Sequence, residues 1–256
     1  MLGANDGVLG LALQNGLGKC KCQRSVIYEM FFQRQVKSAI FSIWLNGAVG
    51  TPVNESFAAQ AGQLTMGGYD SSKFTGNISY IPVSPIIKVD SNGTVTKSFF
   101  YWSVTATNIF NEQLTSIPPT SNSTVAVFDI GTVFIWVDRN TVDRVAYSLN
   151  QVHGANTVWF DNALNLYLLN CAFSTTLPDL SFVLGPQNNW FALKNEEYVI
   201  RDGDGKCVFG IQSNGNAVDN GVATTQWVLG SIFMRRYLTV FDLGKKKVGL
   251  ASAVTF

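Results

Sequence analysis

The chain has 256 residues and a formal net charge of +1, from 18 Lys and Arg against 17 Asp and Glu. A net charge this close to zero gives no indication of nucleic acid or an acidic membrane surface as a partner. Only 14% of the residues are charged and 46% are hydrophobic, a balance typical of a secreted β-rich protein with a neutral polar surface. The length allows one large β domain or two lobes.

Short alternating or apolar runs bounded by Gly, Asn, Asp and Ser make up most of the chain and predict strands with turns between them. Two segments have apolar residues at spacings of three and four and predict helices, residues 28–45 and 141–151. The predicted strands include residues 63–66, 78–83, 101–106, 125–128, 181–184 and 237–242. The pattern therefore predicts an all-β fold.

Asp129 lies inside the apolar run of residues 125–137 and is followed by Ile130, Gly131 and Thr132. A carboxylate that this pattern buries in a β-rich run is costly unless it is paired or used. We therefore expect a functional role for Asp129. The nearby Asp138, by contrast, is predicted to lie in a solvated turn.

The four cysteines form two groups. Cys171 and Cys207 can close a long surface excursion by a disulfide in an oxidising compartment. Cys20 and Cys22 are too close in sequence to bond each other without strain, and we expect them to be free or to pair outside this chain. With His153 as the single histidine, the sequence predicts no metal site and no cofactor.

Four N-x-Ser/Thr sequons are candidate glycosylation sites, at Asn54, Asn77, Asn92 and Asn122. No apolar run is long enough for a transmembrane helix, so we expect no membrane insertion. The first residues lack the basic and apolar regions of a signal peptide. Sequons and a disulfide without a signal peptide lead us to expect that the start of the protein is missing.

Several segments, in the correct order, resemble landmarks of the pepsin-like aspartic endopeptidases. Asp129 to Thr132 resembles the second active-site loop of that family, and the run W-V-L-G-S-I-F-M-R-R-Y-L-T-V-F-D from Trp227 resembles its signature near the C-terminus. The other matching segments are residues 6–12, 39–45, 62–76, 78–83 and 248–251. Together these motifs cover nearly the whole chain.

The resemblance implies a bilobal pepsin-like acid protease fold with most of the N-terminal lobe missing. Residues 1–80 would be the end of that lobe and strands of the interlobe sheet, and residues 81–256 the C-terminal lobe with the second catalytic-Asp loop. Asp129 would be catalytic, supported by Ile130, Gly131 and Thr132. The resemblance also implies Val127 and Val228 as substrate-pocket residues and Cys171–Cys207 as the disulfide of the C-terminal lobe.

The family's mechanism needs two aspartates that share one proton, and this chain matches only one of the two loops. We expect an aspartic endopeptidase acting on polypeptides, secreted or vacuolar/lysosomal, whose present chain is inactive by itself without the missing lobe. Ile130 replaces the family's threonine and cannot make its crossed hydrogen bonds between the two loops. The alternative is therefore a non-catalytic, secreted binding or inhibitor-like protein with the same fold.

Overall fold

A computed structural model describes residues 9–13, 25–46, 62–89, 92–111, 115–121, 124–215 and 226–254. The predictions for Asp6, Cys20, Cys22, Asn54 and Asn122 lie outside these ranges. Among the described residues, no helix is both long enough and apolar enough to cross a bilayer.

Strands dominate the described part of the chain, as the sequence pattern predicts. The helices are α1 (Val26–Phe32), α2 (Arg139–His153), α3 (Asn195–Tyr198) and α4 (Ser231–Arg236). The strands are β1 (Ile40–Leu45), β2 (Gly62–Met66), β3 (Phe74–Pro82), β4 (Ile86–Val89), β5 (Val95–Ser98), β6 (Ser103–Asn111), β7 (Ser116–Ile117), β8 (Val125–Phe128), β9 (Ile135–Val137), β10 (Val158–Asp161), β11 (Leu166–Leu169), β12 (Leu180–Leu184), β13 (Asn189–Leu193), β14 (Val199–Arg201), β15 (Cys207–Phe209), β16 (Ile211–Ser213), β17 (Gln226–Leu229), β18 (Tyr237–Asp242) and β19 (Lys247–Ala253).

Two larger sheets and two smaller ones organise these strands. An antiparallel five-stranded sheet has the order β2-β1-β18-β19-β3, and an eight-stranded sheet runs β13-β12-β6-β8-β17-β9-β16, with β7 paired to β6. A four-stranded sheet, β10-β11-β15-β14, and the hairpin β4-β5 complete the architecture. Because β1 pairs with β18 and β3 with β19, the first and the last strands of the described chain share one sheet. The division into segments at residue 80 stays a prediction.

The helix predicted over residues 28–45 is only partly correct. Helix α1 begins after Ser25, whose hydroxyl accepts a hydrogen bond from the Tyr28 amide, and it ends at Phe32. Arg34 then adopts a positive φ of 60°, which a continuing helix does not allow. The remainder contains β1, whose β-branched and aromatic residues pair with strands on both sides. The second predicted helix, over residues 141–151, is confirmed within α2.

An aromatic cluster joins the five-stranded and eight-stranded sheets. Phe41 on β1 stacks on Phe241 of β18 with ring centroids 4.6 Å apart. Trp102 lies 5.1 Å from Phe241, and Phe128 at the end of β8 lies 6.4 Å from it. These rings are buried, and edge-to-face and stacked pairs of this kind add to the stabilisation from burial alone. The cluster therefore supports the end of β8, where Asp129 follows.

Candidate active site

Asp129 lies directly after β8, at the point where three strands of the eight-stranded sheet meet. Strand β8 runs parallel to β17, and β17 pairs on its other side with β9. The Asp129 amide donates to the Leu229 carbonyl at 3.2 Å, which continues the ladder past the end of β8. The carboxylate itself is exposed. The expectation that it is buried in the apolar run is therefore wrong, because residues 129–134 form a turn rather than a continuous strand.

The turn after β8 is shaped around the Asp129 carboxylate. The Gly131 amide donates to Asp129 Oδ1 at 2.9 Å, so the carboxylate is held by the loop's own backbone. A Cβ atom at Gly131 would lie 3.1 Å from the same oxygen, which explains why glycine suits this position. Ile130 points its side chain to solvent and is 47% exposed.

Thr132 contributes to the loop through both its backbone and its hydroxyl. Its amide donates to the Asp129 carbonyl at 3.4 Å, so it contacts Asp129 through the backbone. Its hydroxyl oxygen accepts a hydrogen bond from the Trp136 indole at 2.8 Å. Trp136, on the following strand β9, was not among the predicted site residues, because no local pattern links its indole to the loop.

The turn between β17 and α4 supports the Asp129 loop from behind. The Ser231 amide donates to the Thr132 carbonyl at 2.8 Å, and the Ile232 amide donates to the Val133 carbonyl at 3.1 Å. Both bonds require close approach of the backbone at Gly230, where a Cβ atom would lie 2.7 Å from the Thr132 carbonyl oxygen. The two segments thus form one backbone-bonded unit.

An apolar cavity of about 540 Å³ opens beside Asp129. Val127 and Val228, the predicted pocket residues, are opposite each other in the β8–β17 ladder and both line it. The other lining residues are Leu9, Leu11, Ala12, Phe41, Ile43, Tyr101, Trp102, Phe128, Ile130, Gly131, Gln226, Met234 and Phe241. A carboxylate beside a largely apolar cavity can hold a polar reacting group while the cavity takes an apolar side chain.

Tyr101 and Trp102 differ in a way that the sequence did not reveal. Trp102 is buried, with its indole donating to the Leu11 carbonyl at 2.8 Å. Tyr101 is 46% exposed and lies at the cavity instead. Adjacent residues of an extended segment face opposite sides, so only one of the two can enter the core.

Asp138 was predicted to lie in a solvated turn, and this prediction is wrong. The residue is buried and caps α2, with its carboxylate accepting hydrogen bonds from the amide and hydroxyl of Thr141 at 3.0 and 2.7 Å. It also accepts from the Thr120 hydroxyl and, at 3.3 Å, from the Trp227 indole. Burial by itself would raise the pKa of Asp138, but these hydrogen bonds outweigh it and hold the pKa below its ordinary value.

The Cys171–Cys207 disulfide is confirmed, with the two Cα atoms 5.3 Å apart. It joins the start of a short 3-10 helix to β15. Of the sequon asparagines, Asn77 lies on β3 and Asn92 in the turn between β4 and β5, and both are exposed. Within the described ranges, no group of three His, Cys, Asp or Glu side chains is arranged to hold a metal ion.

Comparison with known proteins identifies the family. The sequence model for the eukaryotic aspartyl proteases matches residues 1–253. The chain belongs to this family. Its fold is that of the pepsin-like aspartic proteinases: it superposes on the crystal structure of an aspartic proteinase from Irpex lacteus with a TM-score of 0.72, at 21% identity, over 99% of this chain and 69% of the other.

Relatives of this chain include a cathepsin E from Aquarana catesbeiana, 26% identical over 251 residues, and a pepsin A from Rhinolophus ferrumequinum, 30% identical over 248 residues. These alignments cover 98% and 96% of this chain but only 54% and 53% of the relatives. The chain therefore spans about half the length of the curated relatives that it matches.

Proposed function

We propose that this chain supplies the Asp129 half of an aspartic endopeptidase site, which hydrolyses peptide bonds with a water activated between two carboxylates. The observation that supports this most is the position of Asp129, held by the Gly131 amide at 2.9 Å and open to an apolar cavity. The chain's membership of the eukaryotic aspartyl protease family agrees with this chemistry.

The proposed reaction needs a second carboxylate facing Asp129. Two carboxylates a few ångströms apart cannot both ionise easily, so one stays protonated as the acid while the other acts as the base. The pair then titrates as a unit. We place the second carboxylate on the D-[TS]-G loop of the family's N-terminal lobe, which no segment of this sequence matches. On this proposal, the isolated 256-residue chain is inactive.

The cavity beside Asp129 favours substrates with a bulky apolar side chain next to the cleaved bond. Val127 and Val228 form one wall of it, and Tyr101 and Ile130 lie at exposed positions of its lining. Burial of an apolar side chain of leucine or phenylalanine size in such a space is worth roughly 2 kcal/mol. We therefore propose cleavage beside such residues in polypeptide substrates.

We propose an extracellular or lysosomal/vacuolar location. The Cys171–Cys207 disulfide supports it, because such bonds persist in oxidising compartments. The exposed sequon asparagines Asn77 and Asn92 are accessible for glycosylation in the secretory pathway. Mass spectrometry of the native protein before and after enzymatic removal of N-glycans would test both asparagines.

The proposed activity is tested with a fluorogenic peptide that contains an apolar residue pair. Two samples are compared: the protein isolated from its native source and the recombinant 256-residue chain. We expect cleavage in acid by the native protein and none by the chain alone. Asp129→Asn in the native-length protein should lower kcat at least roughly 1,000-fold. Asp204→Asn, at an exposed hairpin turn, is the matched control and should leave kcat unchanged. Full activity of Asp129→Asn would contradict the proposal.

Ile130 supports a second candidate function, that of a non-catalytic binding protein. An isoleucine side chain 47% exposed at the mouth of the cavity adds apolar contact surface and offers no hydrogen bond. A native-length protein that binds the peptide but leaves it intact would favour this candidate. Ile130→Thr would then be expected to weaken binding, whereas in a peptidase it would be expected to preserve or raise activity.

A further inference from the structure

The C-terminal turn of helix α1 presents two aromatic side chains to solvent, Phe31 and Phe32. Phe32 is 66% exposed and Phe31 is 42% exposed, which is unusual for side chains of this size. The segment that follows α1 encloses a concavity of about 680 Å³, lined by Phe31, Phe32, Arg34, Gln35, Val36 and Lys37. An exposed apolar surface of this kind, rimmed by polar residues, marks an interaction site.

Basic side chains follow these aromatic residues along the chain and also lie in a neighbouring turn. Arg34 and Lys37, in the segment between α1 and β1, are both exposed. The β18–β19 turn brings further exposed lysines to the same end of the five-stranded sheet, since the Leu243 amide donates to the Ala39 carbonyl at 3.0 Å. We refer to Phe31, Phe32, Arg34, Lys37, Lys245 and Lys246 as the basic-aromatic surface.

The acidic residues near this surface do not balance its charge. Asp242 is buried, and its carboxylate accepts a hydrogen bond from the Lys245 amide at 2.8 Å, so it is directed into the turn. Glu29 on α1 is half-buried. The net charge of +1 therefore conceals a local excess of basic residues.

We propose that the basic-aromatic surface binds peripherally to anionic membrane lipids. Lysine and arginine are attracted to the negative surface of an anionic bilayer, and exposed phenylalanines enter the boundary between headgroups and acyl chains. An anionic bilayer offers a negative surface and an apolar boundary side by side, which matches the combination of basic residues with the adjacent Phe31 and Phe32. The binding lies outside the Asp129 cavity and is independent of the proposed peptidase activity.

The test is co-sedimentation of the full chain with vesicles of phosphatidylcholine alone and with vesicles in which about a third of the lipid is phosphatidylserine. We expect binding only to the latter, and loss of that binding at about 1 M salt. Lys245→Ser should weaken binding roughly fivefold and Phe32→Ser roughly tenfold. The combination of Lys37→Ser, Lys245→Ser and Lys246→Asn should weaken it roughly 100-fold, with Asn chosen for the positive φ of Lys246.

Matched control variants distinguish the effect of changing this surface from the effect of losing one charge or one exposed apolar side chain elsewhere. Lys206→Ser lies in another exposed hairpin turn, and Tyr147→Ser removes an aromatic side chain that is 65% exposed, close to the 66% of Phe32. Both should bind vesicles like the unchanged chain. The proposal would be overturned by equal binding to both vesicle types or by equal weakening in the control variants. Self-association through Phe32 without lipid would also overturn it, as would binding to single-stranded DNA but to neither vesicle type.

Discussion

The Trp227 indole donates a hydrogen bond to the Asp138 carboxylate over 3.3 Å, between residues 89 positions apart in the chain. Trp227 lies on β17, two residues before Leu229, whose carbonyl accepts the Asp129 amide. Asp138 is the N-cap of α2. The bond therefore fixes the start of α2 to the strand that supports the Asp129 loop.

Asp138→Asn should lower the free energy of unfolding by about 2–3 kcal/mol at neutral pH, because a buried acceptor of several hydrogen bonds loses its charge. In the folded state, burial raises the pKa of Asp138, but the hydrogen bonds that it accepts outweigh burial and hold this pKa below its ordinary value. A depressed folded pKa stabilises the protein above the unfolded pKa, and this stabilisation is lost as the pH falls through the folded value.

Urea unfolding over a series of pH values measures this effect. The difference between the unchanged protein and Asp138→Asn should be constant down to about pH 5 and should shrink below about pH 4. Asp204→Asn, in the exposed turn between β14 and β15, controls for the general loss of one carboxylate. A difference that stays constant through the acid range would show that the carboxylate is not stabilised by its neighbours in the folded state.

Gly230→Ala should lower the free energy of unfolding by about 3 kcal/mol, because the added Cβ has no space. It would lie 2.7 Å from the Thr132 carbonyl oxygen and 2.9 Å from that of Val133. Gly68→Ala is the matched control, since nothing lies within 4 Å of its added Cβ. Equilibrium unfolding in guanidinium measures both. Equal stability of the two variants would mean that the backbone contact at Gly230 relaxes at no cost.

Trp136→Phe removes the hydrogen bond to the Thr132 hydroxyl while it keeps most of the aromatic packing against Phe134. We expect a loss of stability of about 1 kcal/mol. In the native-length enzyme, we also expect a lower kcat, since the Asp129 loop is then less firmly held. Trp190→Phe, an exposed tryptophan far along the sheet on β13, should leave kcat unchanged. A kcat unaffected by Trp136→Phe would exclude a positioning role for this bond.

Replacement of Cys171 and Cys207 by serine should destabilise the protein by about 4 kcal/mol, because the disulfide closes a loop with a sequence separation of 36. Thermal unfolding of the double variant, compared with the unchanged protein with and without a reductant, measures it. The reduced unchanged protein should unfold at the temperature of the double variant. A clear difference between the two would show that the serines themselves perturb β15.

Local patterns were sufficient for much of the fold and for part of the candidate site. Val125–Phe128 and Tyr237–Asp242 are strands with the predicted bounds. Short runs of apolar and β-branched residues bounded by turn residues are typical of buried strands. The interpretation of Asp138 as solvated was wrong because its partners Thr120 and Trp227 come from distant parts of the chain. The helix over residues 28–45 was overextended because β1 depends on pairing with β18, which no local pattern contains.

The parallel pairing of β8 and β17 also has a consequence for how the protein is made. Val127 and Val228 are about 100 residues apart in the chain, and contacts of such long range form slowly and late. During synthesis, Asp129 leaves the ribosome well before the strand that braces its loop. The loop therefore gains its hydrogen bonds from the Ser231 and Ile232 amides only after these residues have been translated, and a nascent chain that stops before Gln226 lacks them.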